Sequence, residues 1–195
     1  MSVHLSLLVV AFQQPEFSRG YQQCGLSADA CPGSPVTRHA ACSITLTAYA
    51  PCGTVQKEVV ARIQYNMDRK SHPGTYALIA TAPGACTKGS RTTGAGAKPG
   101  PFTDVFGFTY SPTGSDPHSG TPPWCEVRAC SESQVSSKCD FSTNFCNVFN
   151  LICGGDDGCV AAGVSFAFNI SAEGSSCDHG FACGGFETKK ARCTR

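Results

Sequence analysis

The chain has 195 residues, enough for one domain or two small ones with a real buried core. Only 15% of them are Asp, Glu, Lys or Arg and the formal net charge is +1, which argues against a nucleic-acid-binding protein. Fourteen cysteines, with no C-x-x-C pair and no Cys/His set at zinc-finger spacing, point to up to seven disulfides in an oxidising compartment rather than to a metal site.

The cysteines are Cys24, Cys31, Cys42, Cys52, Cys86, Cys125, Cys130, Cys139, Cys146, Cys153, Cys159, Cys177, Cys183 and Cys193. Their pairing cannot be read from their order. The charge is uneven along the chain. Residues 1–100 hold nine Lys/Arg against four Asp/Glu, and residues 101–195 hold six against ten. Opposite ends of two copies would attract each other.

Residues 1–12 (MSVHLSLLVVAF) carry an eight-residue apolar run, too short to span a bilayer. The run fits the apolar region of a secretory signal, with Val9-Val10-Ala11 as the small-residue cleavage site, or else an N-terminal strand. Residues 13–195 then read as a single disulfide-rich globular domain. Residues 13–35 are loop-like, punctuated by Pro15, Gly20, Gly25, Pro32 and Pro35 and stapled by Cys24 and Cys31. In residues 42–52 (CSITLTAYAPC), Ile44, Leu46 and Ala48 alternate with Ser43, Thr45, Thr47 and Tyr49, which predicts a half-buried strand ended at Pro51-Cys52-Gly53.

Residues 55–65 fit both periods. Val55, Val59 and Ile63 suit a helix, but the β-branched content predicts a strand. It would form a hairpin with a second strand at residues 75–82 (TYALIATA), across a turn at residues 69–74. Residues 83–101, rich in Gly, Ala, Thr and Lys, read as a flexible loop without a phosphate-binding pattern. Residues 102–110 (FTDVFGFTY) predict an aromatic strand. Residues 111–123 are a second flexible loop leading to Trp124, the only tryptophan.

Residues 141–153 hold the clearest helical signal. Phe141, Phe145, Val148, Phe149 and Ile152 form one apolar stripe. Asp140 or Ser142 can cap the start, and Gly154-Gly155 can stop the end in a left-handed conformation. Seven residues span nearly two turns, so Cys146 and Cys153 fall on one side of this helix. Residues 160–172 (VAAGVSFAFNISA) predict a long strand, with Val160, Val164, Phe166, Phe168 and Ile170 on one face. Asn169-Ile170-Ser171 is an N-glycosylation sequon, and alternation puts Asn169 on the wetter face. The tail from Cys177 reads as a cysteine-stapled loop with a basic end.

The expected fold is therefore α+β: an antiparallel sheet or sandwich of about five or six strands with one short disulfide-tethered amphipathic helix at about 141–153. Catalytic signals are weak. Of five histidines (His4, His39, His72, His118, His179), His72 and His118 would be the acid/base pair of a small hydrolase, with Arg69 or Lys70 as phosphate contacts. Asp156/Asp157 and Glu126/Glu132 are the carboxylate candidates for glycoside hydrolysis, and the first pair also for calcium. Cys177, Asp178, His179 and Cys183 form a paper metal site that disulfide formation would abolish. Trp124 could stack on a sugar. No GxSxG elbow is present, and no cofactor or metal is implied.

These features imply a secreted, extracellular structural or interaction protein: a matrix, wall or filament subunit, or an adhesion module. Its partners would be copies of itself or another extracellular protein or glycan, with no nucleic acid and no transmembrane segment. A secreted binder (effector, toxin or inhibitor) is the alternative reading, and a small hydrolase the third.

Overall fold

The computed structural model describes residues 16–65, 74–93, 101–114, 124–137 and 143–174, together with Cys177 and Cys193. After a 3-10 segment (Glu16–Cys24) come β1 (Ala41–Ala48), α1 (Cys52–Gln64), β2 (Gly74–Ala82), β3 (Cys86–Thr93), β4 (Phe102–Thr113), β5 (Trp124–Ser133), α2 (Thr143–Phe149), a 3-10 turn (Gly155–Asp157) and β6 (Phe168–Glu173). The strands form one six-stranded sheet in the order β2-β3-β4-β5-β1-β6, with every neighbouring pair antiparallel. The fold is α+β, as the patterning predicts.

Period-two alternation decides which face each strand buries. Ile44 and Leu46 of β1 lie opposite Ala129 and Val127 of β5, and Phe108 of β4 lies opposite Ala129 on the other side. These residues share one core with Phe106 and Tyr110, with Val55, Val59 and Ile63 of α1, and with Phe145, Val148 and Phe149 of α2. Both helices thus cover the same face of the sheet. Each large side chain fully withdrawn from water there contributes about 1.5–3 kcal/mol.

Among the described residues, the opposite face is covered over only part of its width. Leu26 and Ala30, from the chain before β1, lie over Gly107 of β4, where a Cβ would overlap the Ala30 carbonyl oxygen and the Leu26 side chain. Disulfides pin this cover from both sides: Cys24–Cys86 to β3 and Cys31–Cys130 to β5. Cys52–Cys125 joins the start of α1 to β5, and Cys42–Cys177 and Cys146–Cys193 tie the C-terminal stretch to β1 and α2. Cys153–Cys159 closes the turn after α2. Cys139 and Cys183 lie outside the described residues, as do residues 1–12 and the helix caps Asp140 and Ser142.

Several expectations need correction. Residues 55–65 are helix, not strand. Pro51 stands at the helix start rather than ending β1, with its carbonyl accepting from the Thr54 and Val55 amides at 2.8 and 3.1 Å. The hairpin is therefore β2–β3, not one built from residues 55–65. Strand β3 occupies residues 86–93 of the supposed flexible loop 83–101, and β4 runs on to Thr113, into the supposed loop 111–123. Cys24 and Cys31 do not staple their own loop but anchor it to the sheet.

The predicted helix at 141–153 is helical over Thr143–Phe149. Tighter turns continue it, with the Cys153 amide still reaching the Phe149 carbonyl at 2.8 Å. Gly154, expected to be left-handed, is extended (φ −97°, ψ −178°); the left-handed glycine is Gly158 (φ 77°). The long strand predicted at 160–172 forms only over Phe168–Glu173, and Val160 and Val164 point into solvent. The reason is a side chain that takes the Ala162, Gly163 and Val164 amides, described below. Strand β5 has no counterpart in the sequence reading.

Because Gly107 leaves no room for a side chain, Gly107→Ala should push the Leu26–Ala30 cover off the sheet. A loss of about 1–3 kcal/mol is expected, the range for overpacking a filled site, read by denaturant unfolding with the disulfides intact.

Candidate functional site

Two groups of buried polar residues stand out from this core. The first is built on α1. Glu58 and Arg62 are one helical turn apart and both buried, with Arg62 Nε donating to Glu58 Oε1 at 2.7 Å. Three consecutive backbone amides also point at the same carboxylate: Ala162 at 2.6 Å, Gly163 at 2.8 Å and Val164 at 2.8 Å. Arg62 Nη1 donates in turn to the Asn150 carbonyl at 3.0 Å, just past α2. Withdrawal from water alone would raise the Glu58 pKa. The Val164, Arg62, Ala162 and Gly163 hydrogen bonds together outweigh it and hold the carboxyl below its ordinary value. These three amides cannot also serve a strand ladder, which is why residues 160–167 are irregular.

The second group lies between α2 and the ends of β3, β4 and β5. Asn144 and Asn147 are three apart on α2 and so share a side. Asn147 accepts from Arg91 Nη1 at 2.9 Å and donates to Asp104 Oδ2 at 2.9 Å and Ser131 Oγ at 3.0 Å. Ser131 donates to Asn144 Oδ1 at 2.6 Å, and Ser133 donates to Asp104 Oδ1 at 2.7 Å. Asn144 Nδ2 reaches the Ala40 carbonyl at 3.1 Å. Arg91 and Asp104 face each other across the β3–β4 ladder. All six side chains are buried, and hydrogen bonds link them to one another. The arrangement suits locking α2 onto the sheet rather than meeting a substrate.

Gln56 plays a similar part under the β2–β3 turn. Its Nε2 donates to the Ala82 and Cys86 carbonyls, both at 2.9 Å, and its Oε1 accepts from the Gly84 amide at 2.6 Å. Burial pushes the Tyr110 phenol pKa well up, offset only in part by its hydrogen bond to Thr87 Oγ1.

Among the described residues, those picked out in the sequence do not converge on a reaction centre. His72, His118, Arg69 and Lys70 lie outside the described residues, as do Asp178, His179 and Cys183. Cys177 is bonded to Cys42, so its sulfur is not a thiolate ligand. Glu126 and Glu132 are six residues apart on one strand face, about 20 Å at 3.3 Å per residue, beyond the roughly 5–9.5 Å between glycosidase carboxylates. Each is already engaged, Glu126 with Arg128 at 3.2 Å and Glu132 with the Gly33 amide at 2.6 Å and His39 Nε2 at 3.2 Å. Glu132 also lies near Cys31 and Cys130, a cluster with metal-ligand spacing, but the two sulfurs are spent on each other. Asp156 and Asp157 sit in the 3-10 turn, where Asp157 Oδ2 accepts from the Gly154 amide at 3.3 Å.

Among the described residues, the outer face of the sheet presents side chains to solvent on β5, β1 and β6. Trp124 (44% exposed) and Tyr49 (46%) meet there edge to face, with ring centroids 5.2 Å apart. Asn169 is exposed on the same face, opposite Thr47 of β1, as the alternation predicts. The sequence reading put Tyr49 on the polar side of its strand but missed its pairing with Trp124, and it missed Glu58, Arg62 and the Arg91–Asp104–Asn144–Asn147 set. Only Glu58/Arg62, at i,i+4, carried a local signal.

No protein-family model matches the sequence, and no curated protein is similar enough to it to be reported as a relative. The six disulfides among the described residues suit an extracellular protein in oxidising surroundings. Among the described residues, no helix is long and apolar enough to cross a membrane.

Glu58→Gln should leave Arg62 buried without its counter-charge and cost about 3–5 kcal/mol, measured by chemical unfolding. The pH dependence follows in sign. The folded pKa lies below the unfolded value of about 4.3, so the contribution is full above that value and is lost as pH falls through the lower folded pKa. Melting temperature should therefore fall in acid more steeply for the wild type than for Glu58→Gln.

Proposed function

We propose that the protein is a secreted, disulfide-rich structural or interaction module that associates with copies of itself. The observation that carries this reading is the β2 edge. Over Ala77–Ala82, β2 pairs with β3 alone in the described sheet. Its sequence, GTYALIATA, contains no Lys, Arg, Asp, Glu or Pro, the residues that usually guard an exposed edge. The bulge at Ile79 is its one edge-blunting feature, and it turns an isoleucine 53% exposed to solvent.

Two β2 strands running antiparallel would extend the sheet across a two-fold axis, which closes into a dimer rather than an open fibre. The interior supports the same reading. Glu58, Arg62, Arg91 and Asp104 are engaged inside the chain, which leaves the surface to do the work. The opposite net charges of the two halves of the sequence would help orient two copies at a distance.

Light scattering on the native protein should give at least twice the 20.3 kDa chain mass. A monomer would overturn the reading and shift the weight to a secreted binder. Ile79→Lys should return the protein to a monomer while changing unfolding stability by no more than about 0.5 kcal/mol, as for an ordinary surface substitution. Persistent association of that variant would move the contact off β2. Its loss on removing residues 1–12 would instead assign it to the N-terminal segment.

A further inference from the structure

The outer face of β5, β1 and β6 holds two features that the self-association reading leaves unused: an exposed aromatic pair and a sequon. We propose that Asn169 carries an N-linked glycan and that its first N-acetylglucosamine residues pack on Tyr49 and Trp124. The proposal rests on the extracellular part of the reading above, since the modification belongs to the secretory route, but not on self-association.

The placement is specific. In Asn169-Ile170-Ser171, Ile170 points inward against the core while Asn169 and Ser171 are exposed. Ser171 Oγ donates to the Thr45 carbonyl at 3.2 Å, which fixes this stretch of β6 on β1. Phe168 packs on Phe149 from the inner face, with centroids 6.3 Å apart. The strand is thus held from below, and the Asn169 amide projects from its outer side, where no side-chain hydrogen bond from the described residues engages it. A glycan there would displace nothing.

The register then decides what the glycan meets. Asn169 is opposite Thr47, and Tyr49, just past the end of β1, is the next residue on that side. That makes Asn169 and Tyr49 diagonal neighbours, about 7–8 Å apart between Cα atoms. Trp124 lies one strand further on, about 4.8 Å beyond β1, in ring contact with Tyr49. The Tyr49 amide donates to the Ala167 carbonyl at 2.9 Å, which holds the β1 end beside the start of β6. A sugar linked to Asn169 therefore comes to lie over Tyr49 first and Trp124 second. The hydrogens on one side of a pyranose ring form an apolar face carrying partial positive charge, and they suit the negative face of an aromatic ring. Half of each aromatic surface, now in water, would be covered.

The test uses the whole chain secreted from a glycosylating eukaryotic host. Intact mass before and after peptide N-glycosidase treatment, with peptide mapping in heavy-oxygen water, should show a glycan at Asn169. An unmodified Asn169 overturns the proposal. Trp124 is the only tryptophan, so its emission reads the packing directly. The glycosylated protein should emit at shorter wavelength and be quenched less by iodide than Asn169→Gln. It should also melt about 2–4 °C higher, the shift that 1 kcal/mol produces in a chain of this size. The melting difference should vanish in Tyr49→Ala. A glycosylated protein whose emission, quenching and melting match those of Asn169→Gln overturns the packing. Native mass is read separately, so failure here is distinguishable from failure of self-association.

Discussion

A carboxylate buried with no water to solvate it must find every partner inside the chain, and Glu58 does so by drawing in three separate regions. It takes the guanidinium of its own helix, three amides from the segment before β6 and, through Arg62, the carbonyl that follows α2. Removing either member of the Glu58–Arg62 pair leaves a buried charge without its counter-charge, which costs several kcal/mol. Helix α1 therefore cannot shift along the sheet without disturbing both the α2 end and the approach to β6. The irregular run of residues 160–167 is a product of this demand and not of weak strand propensity.

The covered face of the sheet is divided by chemistry. Around α1 and the centre of β4 the filling is aromatic, with Tyr76, Phe106 and Phe108 meeting edge to face. Beneath α2 it is polar, and the two amides of Asn144 and Asn147 interlock with serines on β5 and an aspartate on β4. A buried polar cluster accepts only the helix position that satisfies it, whereas an apolar patch tolerates sliding. The short helix α2 thus gains a fixed seat that seven residues of helical propensity could not provide.

Where the sequence is legible and where it is not follows from the same division. The α2 stripe, the β1 alternation and the exposure of Asn169 could be read because burial there follows hydrophobicity. Helix α1 was misread because Val55, Val59, Val60 and Ile63 favour strand, while the residues that complete its buried side are Gln56, Glu58 and Arg62, which look like surface. Strand β3 was missed for a related reason. Its covered face is Thr87, Gly89 and Arg91, with Gly89 leaving space for the Phe106 ring, so no apolar alternation exists to find. Of the outer face, Trp124 was visible as a residue, but its pairing with Tyr49 depends on two strands 75 positions apart being neighbours.

The order in which the cysteines emerge sets a condition on making this protein. Cys42 belongs with Cys177, a separation of 135 residues, and Cys146 with Cys193. Strand β1 likewise waits between two partners that arrive much later, β5 and then β6. A chain still emerging from the ribosome holds reactive thiols at the heart of its future core, able to join the wrong neighbour. The Cys42 thiol can find its partner only once residue 177 has been made, and the Cys146 thiol only once residue 193 has.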